Sequence, residues 1–322
     1  MLRLSLICQI LALSLLMAMA PSAHGILFFD TGAANHNITA PTGGYANSGW
    51  QYEGYFGSYL GTMISPTMFI TAQHIGVNSA TFSYDTIFSG APTVNYSINT
   101  GANGGQGFWD IAGTDLRIYQ ITGGTFAAYA PVYSGSADLT AAFVDMGRGG
   151  PRGADVMFNT TLKGFSTTGS DGVARWGRNS FTGSVLSNAG NLLVSDFDPV
   201  SNQDEFTLSI GDSGGGAFIN VGGVWVLAGI NYGVENGPFS TSPAGSNPFS
   251  AALFDTSGYF EQNGSNWIAV TGPTSLYFSR VSDSAQQIQN IVNVPEPSGA
   301  FLLCSAALVL LLRGRRTVAG SL

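Results

Sequence analysis

Between residues 55 and 271 the chain is a succession of short apolar runs, each closed within a few residues by glycine, asparagine, serine or proline, and none keeps helical spacing. The runs are "YFGSYLGTMIS", "TMFITA", "ATFSY", "DLRIYQIT", "VMFNTTLKGFS", "ARWGRNSFTGSVL", "EFTLSI", "GAFINVGGVWVLAGINYG" and "NWIAVT". Aromatic and β-branched residues bounded by turn formers read as strands, and 44 glycines in 322 residues supply the turns. The expected class is therefore all-β, a barrel or a sandwich. One helix is expected near the end of the body: "SAQQIQNIVN" sets Ile288, Ile291 and Val292 on one side, with Ser282 or Asp283 as its cap.

The two ends have a different character. Residues 1–25 carry Arg3, an apolar stretch over 4–20 and the small residues of "PSAHG", the pattern of a secretory signal peptide, with cleavage expected after Ala20 or Gly25. Both cysteines, Cys8 and Cys304, lie in the terminal segments, so the body over 26–293 contains neither a disulfide nor a thiolate ligand and relies on packing. Residues 294–322 hold Pro295-Glu296-Pro297, an apolar run over 300–312, and Arg313, Arg315 and Arg316. A run this short is marginal as a permanent membrane span. The ordered trio resembles the PEP-CTERM sorting signal of Gram-negative bacteria. That resemblance implies export, transient association with the inner membrane and removal of the tail by an exosortase, with the body extracellular or at the cell surface; an ordinary C-terminal anchor is the competing reading. A net charge of −8, a single lysine (Lys163) and scattered arginines leave no basic track for nucleic acid.

Three sites in the body can carry chemistry. "SIGDSGGGAF" places Ser213 between Asp212 and three glycines, a turn able to expose Oγ and to aim two backbone N–H groups the same way, although a plain glycine-rich hairpin has the same composition. His74 ends "MFITAQH" and is the candidate for a base, whereas His36, the other histidine of the body, sits in the polar stretch "AANHNITAPTGG". A lone histidine in that place is as readily structural. Asp115 opens "DLRIYQI" where a loop enters an apolar strand; Asp110 in "FWDIAG" is its rival, in a run that Gly113 interrupts.

Considered together, a hydroxyl, a base and a carboxylate form the set that nucleophilic catalysis requires. At these residues the chain resembles the trypsin-like (chymotrypsin-fold) serine proteases: "TAQH" is similar to their Thr-Ala-Ala-His, "TDLRIYQI" to their Asp-Ile-Ala-Leu strand, and "GDSGGG" to their Gly-Asp-Ser-Gly-Gly-Pro. "YFSRVSDSAQQIQNIV" is similar to the family's closing strand and helix. The resemblance implies two six-stranded antiparallel β-barrels, one over 26–130 and one over 131–293, with a cleft between them. It implies a serine endopeptidase acting on protein or peptide, with Ser213 as nucleophile, His74 as base and then acid, Asp115 orienting His74, and the Gly211 and Ser213 N–H groups as oxyanion hole. Thr207 would lie at the base of the specificity pocket, and Asn231, Tyr232 and Gly233 of "GINYG" beside the substrate backbone. Neither a cofactor nor a metal is implied. A catalytically silent, protease-like binding module displayed in the extracellular matrix is the alternative.

The departures from the family pattern limit specificity. Thr207 is uncharged, which implies an uncharged P1 residue, and Leu276 is expected to narrow the pocket. Gly216 replaces the family's proline, an exchange expected to loosen the turn. In many relatives the residue matching Asp212 pairs with a new N-terminal amine, which cleavage before Ile26 would supply. The acidic run with Asp196, Asp198, Asp204 and Glu205 has calcium-compatible oxygens without calcium-loop spacing, so a solvated loop is expected there.

Overall fold

The computed structural model describes residues 26–200 and 204–293. The signal-peptide and sorting-signal readings fall outside the described residues. The chain divides into two compact units at Ala285/Gln286, and both barrels belong to the first.

The first barrel is made of β1 (Glu53–Phe56), β2 (Tyr59–Met63), β3 (Met68–Ala72), β4 (Thr81–Tyr84), β5 (Val94–Ile98) and β6 (Leu116–Thr122). They run antiparallel in the order β3-β2-β1-β4-β5-β6, and β6 closes the ring on β3, while Phe108–Asp110 pairs with Arg117–Tyr119 of β6 on the edge opposite β3. The second barrel contains β7 (Ala142–Gly147), β8 (Arg175–Ser187), β9 (Gly190–Asp196), β10 (Gly216–Val221), β11 (Val224–Val234) and β12 (Ser275–Arg280), closed in the order β8-β9-β12-β11-β10-β7. Two closed six-stranded antiparallel barrels are consistent with a chymotrypsin-like fold, and closure leaves no barrel strand with an unpaired edge.

Each barrel is filled by the alternate, inward-facing residues of its strands. Phe69 stands 4.3 Å from Phe82 and stacks on Tyr119 in the first barrel. Phe143 stacks on Phe181 at 4.1 Å in the second, with Leu193, Leu276 and Phe278 in the same cluster. Two three-stranded sheets lie outside the barrels: Arg152–Phe158, Thr161–Thr167 and Ala251–Leu253, and Phe239–Ser240, Phe260–Asn263 and Asn266–Ala269.

Several local expectations change. "YFGSYLGTMIS" is two strands, because Gly57 at φ +63° turns the chain between β1 and β2. "EFTLSI" keeps only Phe206–Thr207 extended, paired with Leu27–Phe28. The helix Ala285–Val292 follows a 3-10 turn over Ser282–Ser284 that lacks a side-chain cap. Ser282 donates instead to Asp138 (2.9 Å), and Asp283 pairs with Arg280 (3.0 Å). Among the described residues no helix is long and apolar enough to cross a membrane.

Candidate active site

β3 delivers His74. Its last residue, Ala72, is paired with Leu116 of β6, and the chain then makes a 3-10 turn over Gln73–Ile75 that ends on Gly76 at φ +69°. Because β3 and β6 are neighbours, Asp115 at the mouth of β6 comes to lie under that turn. Gln73 N–H donates to Asp115 O (2.7 Å) and His74 N–H to Asp115 Oδ1 (2.8 Å). His74 Nδ1 is 2.6 Å from Asp115 Oδ2, and Nε2 is 2.8 Å from Ser213 Oγ in the second barrel.

This geometry dictates the tautomer. Ionised Asp115 only accepts, so Nδ1 carries the ring hydrogen and Nε2 presents a lone pair to the Ser213 hydroxyl. The Asp115 side chain is only 7 % exposed against 39 % for His74, so the carboxylate works in the drier environment and the imidazole remains reachable. Asp110 is occupied elsewhere: Arg117 grips it at 2.6 and 3.0 Å. The choice of Asp115 over Asp110 follows from that pairing, which spacing does not reveal.

Ser213 sits on a loop shaped by glycines, each with its own reason. Gly211 has φ +105° and Gly214 +85°. A Cβ on Gly214 would stand 2.2 Å from Thr71 Oγ1, one on Gly215 1.9 Å from Met146 O, and one on Gly216 2.7 Å from Thr62 Oγ1. The loop is thus pressed between the barrels, and Gly216 is needed for close approach to Thr62 and Glu53, which corrects the expectation of a loosened turn. The Gly211 and Ser213 N–H groups meet no acceptor among the described residues.

Asp212 turns inward. Its carboxylate accepts from Gly149 N–H (2.5 Å), Ser209 N–H (2.7 Å), Ser209 Oγ (2.9 Å) and the Ile26 N–H. Burial outweighs these bonds and pushes its pKa up to about 6. Sequence reasoning missed two further carboxyls in this seam. Glu53 of β1 is fully buried, accepts from Thr62 Oγ1 (2.7 Å) and the Gly216 N–H, and is pushed up to about 8 by burial. Asp145 of β7 is likewise buried and raised well above the usual range. A lone acid inside "AFVDMG" was the available signal.

A carboxyl raised on folding contributes stability that is complete below its unfolded value and lost as pH rises through its folded value. For Glu53 that window runs from about 4.5 to about 8. We expect Glu53→Gln to flatten the loss of thermal stability between pH 5 and 9, by on the order of 4 kcal/mol at the alkaline end. Unfolding scans at both pH values check this; a slope equal to the wild type's would contradict it.

The remaining predicted residues divide. Tyr232 meets the His74 ring edge-on at 5.8 Å, and Gly233 has open space where a Cβ would project. Thr207 is fully buried and opposite Leu27, and the Asn231 side chain is buried and faces the Ser213 loop from behind. Leu276 is a fully buried member of the second barrel's core. In the acidic run, Asp204 is held by Arg178 and Asn37, both at 2.8 Å, Asp196 accepts from Ser275 (3.0 Å), and Glu205 is buried and pushed up to about 8. Among the described residues no group of three or more His, Cys, Asp or Glu side chains could hold a metal ion. Compared with known proteins, the chain matches no family model and no curated protein.

Proposed function

We propose that the protein is an exported serine endopeptidase that hydrolyses peptide bonds through an acyl-enzyme on Ser213. The observation that carries this reading is the continuous hydrogen-bonded path from Asp115 through His74 to Ser213, 2.6 and 2.8 Å long, spanning two separately closed barrels. A serine hydroxyl becomes a nucleophile when a base takes its proton as it attacks. Here Nε2 accepts that proton, Oγ bonds to the carbonyl carbon, and Asp115 stabilises the imidazolium. The displaced carbonyl oxygen is received by the Gly211 and Ser213 N–H groups. Collapse of the tetrahedral intermediate breaks the C–N bond, and Nε2–H protonates the leaving amine. Water then repeats the sequence, with His74 as base, to free the acid and Ser213.

Tyr232 beside His74 supports a place for the substrate chain along β11. The terminal sequences support export and exosortase processing of residues 294–322. A fluorophosphonate probe is expected to label the purified protein at Ser213 and to leave Ser213→Ala unlabelled. A folded wild type that resists the probe would favour the silent binding module.

Processing after Gly25 belongs to the same proposal. Ile26 donates its peptide N–H to Asp212, and cleavage before it would turn that donor into an ammonium facing a buried carboxylate, a charge-assisted bond roughly twice as strong. Protein beginning at Ile26 is expected to be roughly ten- to a hundredfold more active than protein extended by one residue, on the roughly 1.5–3 kcal/mol that charged hydrogen bonds contribute. Equal kcat/KM for the two forms would remove processing from the proposal.

A further inference from the structure

Behind the nucleophile loop lies a polar arrangement that the reaction above does not use. Asn231 of β11 is fully buried. Its backbone N–H donates to Gly215 O (2.9 Å) and its carbonyl accepts from Gly214 N–H (3.1 Å). Its side-chain Nδ2 reaches three acceptors: Asp212 O at 3.1 Å, Met146 O at 2.9 Å and Asp145 Oδ2 at 3.1 Å. Two of these are backbone carbonyls, which only accept, so the NH₂ end of the amide must face them. The amide therefore ties the residue before Ser213 to β7, and the same side chain's backbone ties the two residues after it to β11.

Asp145 determines how that amide is held. It lies two residues from Phe143 on β7, on the face that points into the barrel. One carboxyl oxygen accepts from Asn231; the other, Oδ1, is buried with no partner among the described residues, as is Asn231 Oδ1. The titratable groups facing it are Asp212 from the loop and Glu53 from β1. Burial first, and then the Asp212 charge, raise its pKa well above the usual carboxylate range and favour the neutral acid, which serves as an acceptor without adding a negative charge beside Asp212.

We propose that Asn231 is the positioning residue of the nucleophile, bracing the Asp212–Gly215 loop so that Ser213 Oγ stays on His74, and that Asp145 orients the bracing amide. The inference rests on Ser213 being the nucleophile. Loss of the brace frees the loop to move against β7, and a shift of about 1 Å at a reacting atom costs on the order of a hundredfold in rate.

The test compares Asn231→Ala, Asp145→Ala and Asp145→Asn with the wild type, using kcat and KM for a peptide ester, fluorophosphonate labelling rate, and thermal unfolding. Asn231→Ala and Asp145→Ala are expected to lose about a hundredfold in kcat and in labelling rate, with KM changed less than about threefold. Asp145→Asn keeps an uncharged acceptor and is expected to stay within about threefold of wild type. Folded Asn231→Ala labelled at the wild-type rate would overturn the brace, and Asp145→Asn as slow as Asp145→Ala would overturn the role given to the neutral acceptor. Should Asn231→Ala not fold, the Asp145 pair decides alone. A wild type that is neither active nor labelled would instead remove the endopeptidase reading, and this inference with it.

Discussion

His74→Ala is expected to lower kcat on a peptide substrate by about a millionfold, and Asp115→Asn by about ten-thousandfold, while the folded state is retained. The first loss follows from the hydroxyl's weakness as a nucleophile: with nothing at 2.8 Å to take its proton, Ser213 must attack as the alcohol. The imidazole is more than one-third exposed, so its removal takes little from either core. The second loss has a subtler cause. Asp115 accepts two hydrogens from one residue, the His74 backbone N–H and Nδ1–H. An asparagine can keep one of these bonds, but its NH₂ end then faces Nδ1 and forces the ring hydrogen onto Nε2, where a lone pair is needed. Single-turnover kinetics at saturating substrate, alongside unfolding scans, separates loss of chemistry from loss of fold. Asp115→Asn within tenfold of wild type would take Asp115 out of the mechanism.

Gly215→Ala is the second large expected effect, on both stability and rate. A methyl group there would stand 1.9 Å from Met146 O and 2.9 Å from the Met146 carbonyl carbon. Those atoms belong to β7, which is held between β8 and β10 by paired strands on both sides, so the loop has to yield. Overpacking of this kind typically costs about 1–3 kcal/mol, and, on the proposed mechanism, displacement of Ser213 Oγ by about 1 Å costs on the order of a further hundredfold in kcat. Gly44→Ala is the matched control: its position is open, and the change is expected to stay within about 0.5 kcal/mol. Denaturant midpoints for the two variants test the contrast; similar losses for both would show that the Ser213 loop is not tightly packed.

Local patterns carried much of this structure. "TMFITA", "DLRIYQIT" and the paired run "GAFINVGGVWVLAGINYG" became strands close to where they were read, because alternation and turn residues act within one element. "AFVDMG" and "GNLLVSD" were not read as strands, and both are barrel members. In the first, an acid at an interior position breaks the apolar pattern; a core holds it with a partner such as Asn231, and that partner is 86 positions away.

By itself the sequence determined the all-β class, through its density of turn formers and want of helical spacing, and it singled out the few side chains able to act as base, carboxylate and hydroxyl. Only the tertiary structure decided that Asp115 and not Asp110 faces His74, that His74 and Ser213 meet across 139 residues, and that Gly216 is needed for contact rather than for looseness. The reason is range. Turn chemistry and periodicity are properties of neighbouring residues, whereas a proton path and a buried carboxyl depend on which surfaces two closed barrels bring together.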